Sequence, residues 1–152
     1  MHSFRKTEVL DIPLTVAYQI AADIEKYHEF IHGMKPVDVL ETGNDYIAVA
    51  LSSPLLRGKV RMIAQFKKDK SIYFKQDNGP FRELSGHWIF DGDEKGVLVT
   101  FSMVMIHKNF VIDKTLRVLG SEFCERVIKD FKKQADQIIQ QTGSQLPGET
   151  NY

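Results

Sequence analysis

The feature that most constrains this chain is one long apolar stripe near its C-terminus. Ile112, Leu116, Leu119, Phe123, Val127, Phe131, Ala135 and Ile138 recur at spacings of three and four residues. That period predicts a single helix over residues 110–141. A stripe of this length must be buried along most of its course, and the sequence offers no second helix long enough to cover it. What precedes it instead is a run of short alternating segments, the signature of strands with one dry face. The stripe and the strands satisfy each other only if a curved antiparallel sheet wraps around the helix. The expectation is an α+β domain with about seven strands gripping a long C-terminal helix.

The strands read as follows. Residues 4–10 form the first, closed by Asp11 and Pro13. Val16, Ala17, Ile20 and Ala21 then predict a helix, with Thr15 as its cap or Asp11 and Pro13 as a competing start. A second helical stretch covers residues 23–32 and ends at Gly33 and Pro36. Further strands are expected at 37–40, 46–51, 59–67, 71–76, 83–90 and 97–106. In three of them the inner face is explicit: Val60, Met62, Ala64 and Phe66; Leu84, Gly86, Trp88 and Phe90; Val97, Val99, Phe101, Met103 and Met105. Short links between them predict antiparallel neighbours. Residues 1–141 read as one domain, and 142–152 as a polar tail rich in turn formers.

Composition enters through what it excludes. Twenty Lys and Arg balance 20 Asp and Glu, which argues against a broadly cationic nucleic-acid binder, so no DNA partner is expected. The single cysteine, Cys124, excludes an intrachain disulfide and a cysteine-rich zinc site, and fits a reducing compartment. The N-terminal residues lack the apolar core of a signal peptide, and polar residues interrupt every apolar run. The expected location is therefore cytoplasmic, with peripheral contact at the inner face of the membrane compatible with it. No Gly-rich nucleotide signature and no phosphate loop is present.

Three stretches carry a resemblance to a known family. The first is Tyr18-Gln-Ile-Ala-Ala-Asp23-Ile-Glu-Lys-Tyr27-His-Glu-Phe30. The second, the most specific, is Gly79-Pro80-Phe81-Arg-Glu-Leu84-Ser-Gly86-His-Trp88-Ile-Phe90. The third is the terminal helix with Phe123 and Phe131. In this order they resemble the START-like (SRPBCC) superfamily, with the Bet v 1-like helix-grip fold. Its coenzyme Q-binding and polyketide cyclase/dehydrase-like branch, which includes ribosome-association toxin-like proteins, is the most similar part. His28 and His32 stand where that family usually has prolines, and Ile128 where a Met is common. The resemblance implies a cavity between sheet and long helix that holds a hydrophobic small molecule, such as an isoprenoid quinone or another lipid-like ligand, with no required cofactor. Some members cyclise or dehydrate polyketides there; others only bind or carry.

On that reading the cavity wall is drawn from Met62, Phe66, Phe81, Trp88, Phe90, Phe101, Met103, Leu116 and Phe123. Each of these equally suits ordinary core packing. Gly86 either relieves a bend in the sheet or leaves room for a ligand, and the bend is the favoured reading. The cavity entrance is assigned to Tyr27, Phe30 and Met34, with Leu55 in a second apolar loop. Arg57, Lys59, Arg61 and Lys67 form a basic surface, either a solvated sheet face or a docking site for an anionic lipid, a ribosome or a protein. His28 and His32 share a helix face but lack a third metal ligand, so no metal is assigned, and no residue is assigned as catalytic. Cys124 reads as a half-buried packing residue. A cyclase would need polar groups inside, and Arg61, Gln65, Tyr73 or Ser85 would supply them if the inward phase of the strands were reversed.

Overall fold

The computed structural model describes residues 2–53 and 58–142. Seven antiparallel strands form one sheet: β1 (His2–Leu10), β2 (Asp38–Thr42), β3 (Tyr46–Ser53), β4 (Gly58–Lys67), β5 (Ser71–Asn78), β6 (Phe81–Gly92) and β7 (Val97–His107). Their spatial order is β1-β7-β6-β5-β4-β3-β2, so β2 to β7 form a meander and β1 closes onto β7. Helix α1 (Leu14–Ala22), a 3-10 turn (Ile24–Lys26) and the single-turn α2 (Tyr27–Phe30) lie between β1 and β2, and α3 (Phe110–Thr142) follows β7. This is the expected helix-grip α+β architecture.

Alternation along the strands decides what faces the helix. Val60, Met62, Ala64 and Phe66 are buried on β4, and Leu84, Gly86, Trp88 and Phe90 on β6. Trp88 is the centre of the core. Its ring lies 4.7 Å from Phe101 and 4.9 Å from Phe131 of α3, so strand and helix interlock through three aromatic groups.

The stripe on α3 is rotated from the one the period predicts. Leu116, Cys124, Val127, Ile128, Phe131 and Ala135 are buried, whereas Leu119 is 41% exposed. Cys124 is wholly rather than half buried. The reason is Gly120, which meets the ring of Phe4 on β1: a Cβ there would lie 2.4 Å from Phe4 Cε2. Glycine lets α3 close on β1, the contact line passes through residues 120 and 124, and Leu119 is turned outward. The helix start is fixed by Asn109, whose Oδ1 accepts from Val111 N–H (3.0 Å) and Ile112 N–H (3.1 Å). Asp113 Oδ1 accepts from His107 N–H at 2.8 Å, tying the end of β7 to the same turn.

Two local expectations change. Thr15 is not the cap of α1: Pro13 occupies that position, and its carbonyl accepts from Val16 and Ala17 N–H. Leu14 N–H donates instead to Asp93 O at 2.9 Å, anchoring α1 to the β6–β7 turn. The helix expected over 23–32 breaks into the 3-10 turn and α2, because Ile24, Tyr27 and Ile31 are each drawn into the core. Gly33, at φ +89°, then turns the chain toward β2.

A candidate apolar ligand cavity

Helix α3 packs chiefly on β1 and β7, and α1 on β6. The inner faces of β3 to β6 are therefore only partly covered, and a cavity of about 90 Å³ remains there. Its floor is Val49 and Leu51 from β3, Met62 from β4 and Phe74 from β5. Leu84, Gly86 and Trp88 of β6 and Phe101 and Met103 of β7 continue the wall. The roof is Ile24, Tyr27, Ile31 and Met34 on one side and Phe123 and Val127 of α3 on the other. Ser85 also borders it, although alternation turns Ser85 to the outer side of β6.

Gly86 contributes part of this space. The pairing runs without a register shift through Phe74–Gly86–Met103, and the β6 bulge falls at Phe81/Glu83 instead. Gly86 thus leaves room beside the cavity without a bulge, and a bend of the sheet at this point is compatible with the same register. A Cβ at Gly86 would lie 3.4 Å from Phe74 Cδ2 and 3.9 Å from Phe101 Cε1, both lining side chains.

Among the described lining residues only Tyr27 carries a titratable group. Its hydroxyl donates to the carbonyl of Ala21 and is not presented to the cavity. Burial pushes its pKa up; the nearby Trp88 acts against this more weakly. The Trp88 indole N–H approaches this hydroxyl but has no hydrogen-bond partner among the described residues. Tyr18, edge-on to Phe90 at 5.7 Å, is likewise pushed up, to about 12, by burial and then by the charge of Asp69. Cys124 Sγ lies 3.7 Å from Phe101 O, and burial raises its thiol to about 11, leaving it a poor nucleophile.

Of the residues assigned to the wall, Met62, Trp88, Phe101, Met103 and Phe123 border the cavity, and so do Tyr27 and Met34 of the assigned entrance. Phe66, Phe81, Phe90 and Leu116 are buried in the surrounding core and do not border it. Phe30 packs edge-on against Tyr27 at 5.8 Å. Leu55 and Arg57 lie outside the described residues. Phase is not reversed: Arg61, Gln65 and Tyr73 are on the outer face, away from the cavity. The sequence reading did not assign Phe74, Val49, Ile24, Leu51 or Val127 to the cavity. The alternation of Ile72 and Phe74 within 71–76 held the signal for Phe74; that for Val49 and Ile24 depends on how α2 folds over the sheet.

The basic surface is partly neutralised. Lys59 Nζ lies 3.6 Å from Asp38, and Arg61 Nε 2.8 Å from Asp77. Lys67 stands near His87, whose pKa is lowered by burial and then by that cation. Among the described residues no cluster of three or more His, Cys, Asp or Glu is placed to hold a metal ion. His32 N–H donates to Asp130 of α3 at 2.9 Å. No helix among them is long and apolar enough to cross a membrane.

A seven-stranded sheet, a gripped helix and an apolar cavity between them define the class as a START-like helix-grip protein. The chain belongs to the polyketide cyclase/dehydrase and lipid transport family, whose model matches residues 10–132. It is 24% identical over 139 residues to the ribosome association toxin RatA of Pseudomonas aeruginosa, covering 88% of this chain and 95% of that one. The fold is similar to the Zhui aromatase/cyclase of Streptomyces sp. R1128, with TM-score 0.82 and 14% identity, covering 94% of this chain and 98% of that one. It is also similar to a START superfamily protein of Mycobacterium smegmatis, with TM-score 0.72 and 16% identity, covering 91% and 99%.

Proposed function

We propose that this protein binds and carries a hydrophobic small molecule in the cavity between sheet and α3, without transforming it. The observation that carries this reading is the lining. It offers hydrocarbon, aromatic rings and thioethers; Ser85 borders it from a position that alternation turns outward, and its one titratable group, on Tyr27, is already committed to Ala21. General acid–base chemistry needs a proton donor or acceptor within reach of the substrate, and among the described lining residues no titratable group is free to serve a cyclisation.

Size refines the ligand. An apolar cavity of ~150 Å³ holds one benzene, and this one measures about 90 Å³. A chain segment fits; a complete isoprenoid quinone or lipid enters only as side chains move aside. Met34, Met62 and Met103 supply that compliance, because thioether chains repack at small cost. Extended apolar chains, isoprenoid or acyl, are therefore the favoured class. Ribosome association, as the name of the Pseudomonas aeruginosa relative states for that protein, is less well supported at the β4 face. Lys59 and Arg61 there already face carboxylates.

Native purification, solvent extraction and mass spectrometry test the reading, together with titration by the apolar fluorophore N-phenyl-1-naphthylamine. A co-purifying apolar molecule, or saturable probe uptake that such a molecule displaces, is expected. Protein that is consistently empty and also takes up no probe would sink the proposal.

A further inference from the structure

The first three turns of α3 carry an apolar surface that the sheet does not cover. Phe110 and Val111 are each 71% exposed, Val118 is 68% exposed and Leu119 41%. These are four of the ten large hydrophobic side chains exposed among the described residues, gathered within ten positions of one helix. At ~100° per residue they spread over about half the helix circumference, on the side away from Leu116 and Cys124. They form two pairs, Phe110 with Val111 and Val118 with Leu119, on one side of the helix, with Lys114 and Thr115 exposed between them.

Three of the charges among and beside them are cations. Lys108, Lys114 and Arg117 are exposed and form no ion pair among the described residues. Lys114 Nζ lies 5.1 Å from the centre of the Phe110 ring, so its stem follows the apolar surface and its head is held at the edge. The only acidic residue of this stretch, Asp113, points back to His107 N–H. Beyond it the character changes, with Glu122 and Glu125 exposed on the next turn. Exposed apolar side chains and cations thus stand side by side over residues 108–119, whereas the exposed cations further along α3, Arg126 and Lys129, are interspersed with Glu122, Glu125 and Asp130.

We propose that this face docks on an anionic lipid bilayer. The surface is a convex helical cylinder, and a protein partner would have to supply a groove shaped to it. A fluid acyl layer conforms to such a shape without needing complementarity, while the three cations reach the phosphate level. The face also adjoins the cavity. Leu119 is one turn from Phe123, which lines the cavity, so a docked molecule would present that lip to hydrocarbon. Exchange of an apolar cargo at this lip rests on the proposed function; the docking itself does not.

Flotation with vesicles of phosphatidylcholine alone, or with about a quarter phosphatidylglycerol, reads the docking without any cargo. Binding to the anionic vesicles, weakened by salt, is expected. The double variant Val118→Asp with Leu119→Asp changes only exposed positions and should retain its melting temperature while binding about tenfold or more weakly. Lys114→Glu with Arg117→Glu should remove the preference for phosphatidylglycerol. Lys75→Glu, on the outer face of β5, should bind as the unaltered protein does. Absence of vesicle binding overturns the proposal, also where the same aspartates abolish association with a protein or a ribosome instead. Undiminished binding by the double aspartate variant overturns it equally. Probe uptake by the unaltered protein is measured separately, so a failure of docking and a failure of the cavity are told apart.

Discussion

Replacing Gly86 with alanine separates the cavity from the fold. The added Cβ meets Phe74 Cδ2 at 3.4 Å and Phe101 Cε1 at 3.9 Å, ordinary contact distances, so no neighbour has to move. A methyl group is close to water-sized, roughly 30 Å³, and so takes about a third of a cavity of about 90 Å³. At ~24 cal/mol per Å³ of cavity removed, filling that space stabilises by about 0.7 kcal/mol. Loss of glycine's freedom in the unfolded chain contributes ~0.4–1 kcal/mol more. Gly86→Ala should therefore be more stable by about 1–2 kcal/mol, raising the melting temperature by ~2–6 °C in a chain of this size. Its affinity for an apolar probe should fall about fourfold, since one methylene's worth of burial, ~0.8 kcal/mol, is no longer available. Urea denaturation and N-phenyl-1-naphthylamine titration on the same preparation read both quantities. A variant destabilised by more than about 1 kcal/mol would show that the space is not there. A stabilised variant with undiminished uptake would show that the probe binds elsewhere.

Three further outcomes are expected. Gly120→Ala, which on an ordinary helix would stabilise by ~1 kcal/mol, should instead cost about 1 kcal/mol or more, because its Cβ would sit 2.4 Å from Phe4 Cε2; a higher melting temperature would refute the close packing of α3 on β1. Gln76→Ala should destabilise by ~1–2 kcal/mol, measured by urea denaturation, since Gln76 both donates to Phe81 O (2.8 Å) and accepts from Phe81 N–H (3.1 Å), pinning the β5–β6 turn. The alkaline limb of stability should be set by Cys124, Tyr18 and Tyr27, all with pKa values raised by burial. Because the fold favours their neutral forms, their contribution is complete below the unfolded values of 9.0 and 10.0 and is lost as pH rises toward about 11 and 12. Tyrosinate absorbance that appeared for every tyrosine near pH 10, with no unfolding, would contradict this.

Periodicity alone determined the architecture. A helix that repeats every three to four residues and strands that alternate every second residue each bury one face, and the faces of β4, β6 and β7 are read correctly because a strand's inward phase is a local property. The antiparallel order of β2 to β7 follows from short links, whereas the closure of β1 onto β7 does not. The sequence also carried the aromatic and thioether content of the cavity wall, through Met62, Trp88, Phe101 and Met103.

Tertiary structure decided three things that no window of sequence contains. The first is which buried residues line space and which fill it: Phe90 and Trp88 share a strand face, but only Trp88 borders the cavity, because the reach of α3 and α2 over the sheet sets where packing stops. The second is the rotation of α3, where the contact of Gly120 with Phe4, more than a hundred residues away in the chain, turns Leu119 out to solvent. The third is charge. The basic run of β4 is unbalanced in sequence, and only the sheet brings Asp38 to Lys59 and Asp77 to Arg61. Burial along one element is set by neighbours a few residues away, whereas cavities, lips and ion pairs are set by the distances between elements, which folding alone fixes.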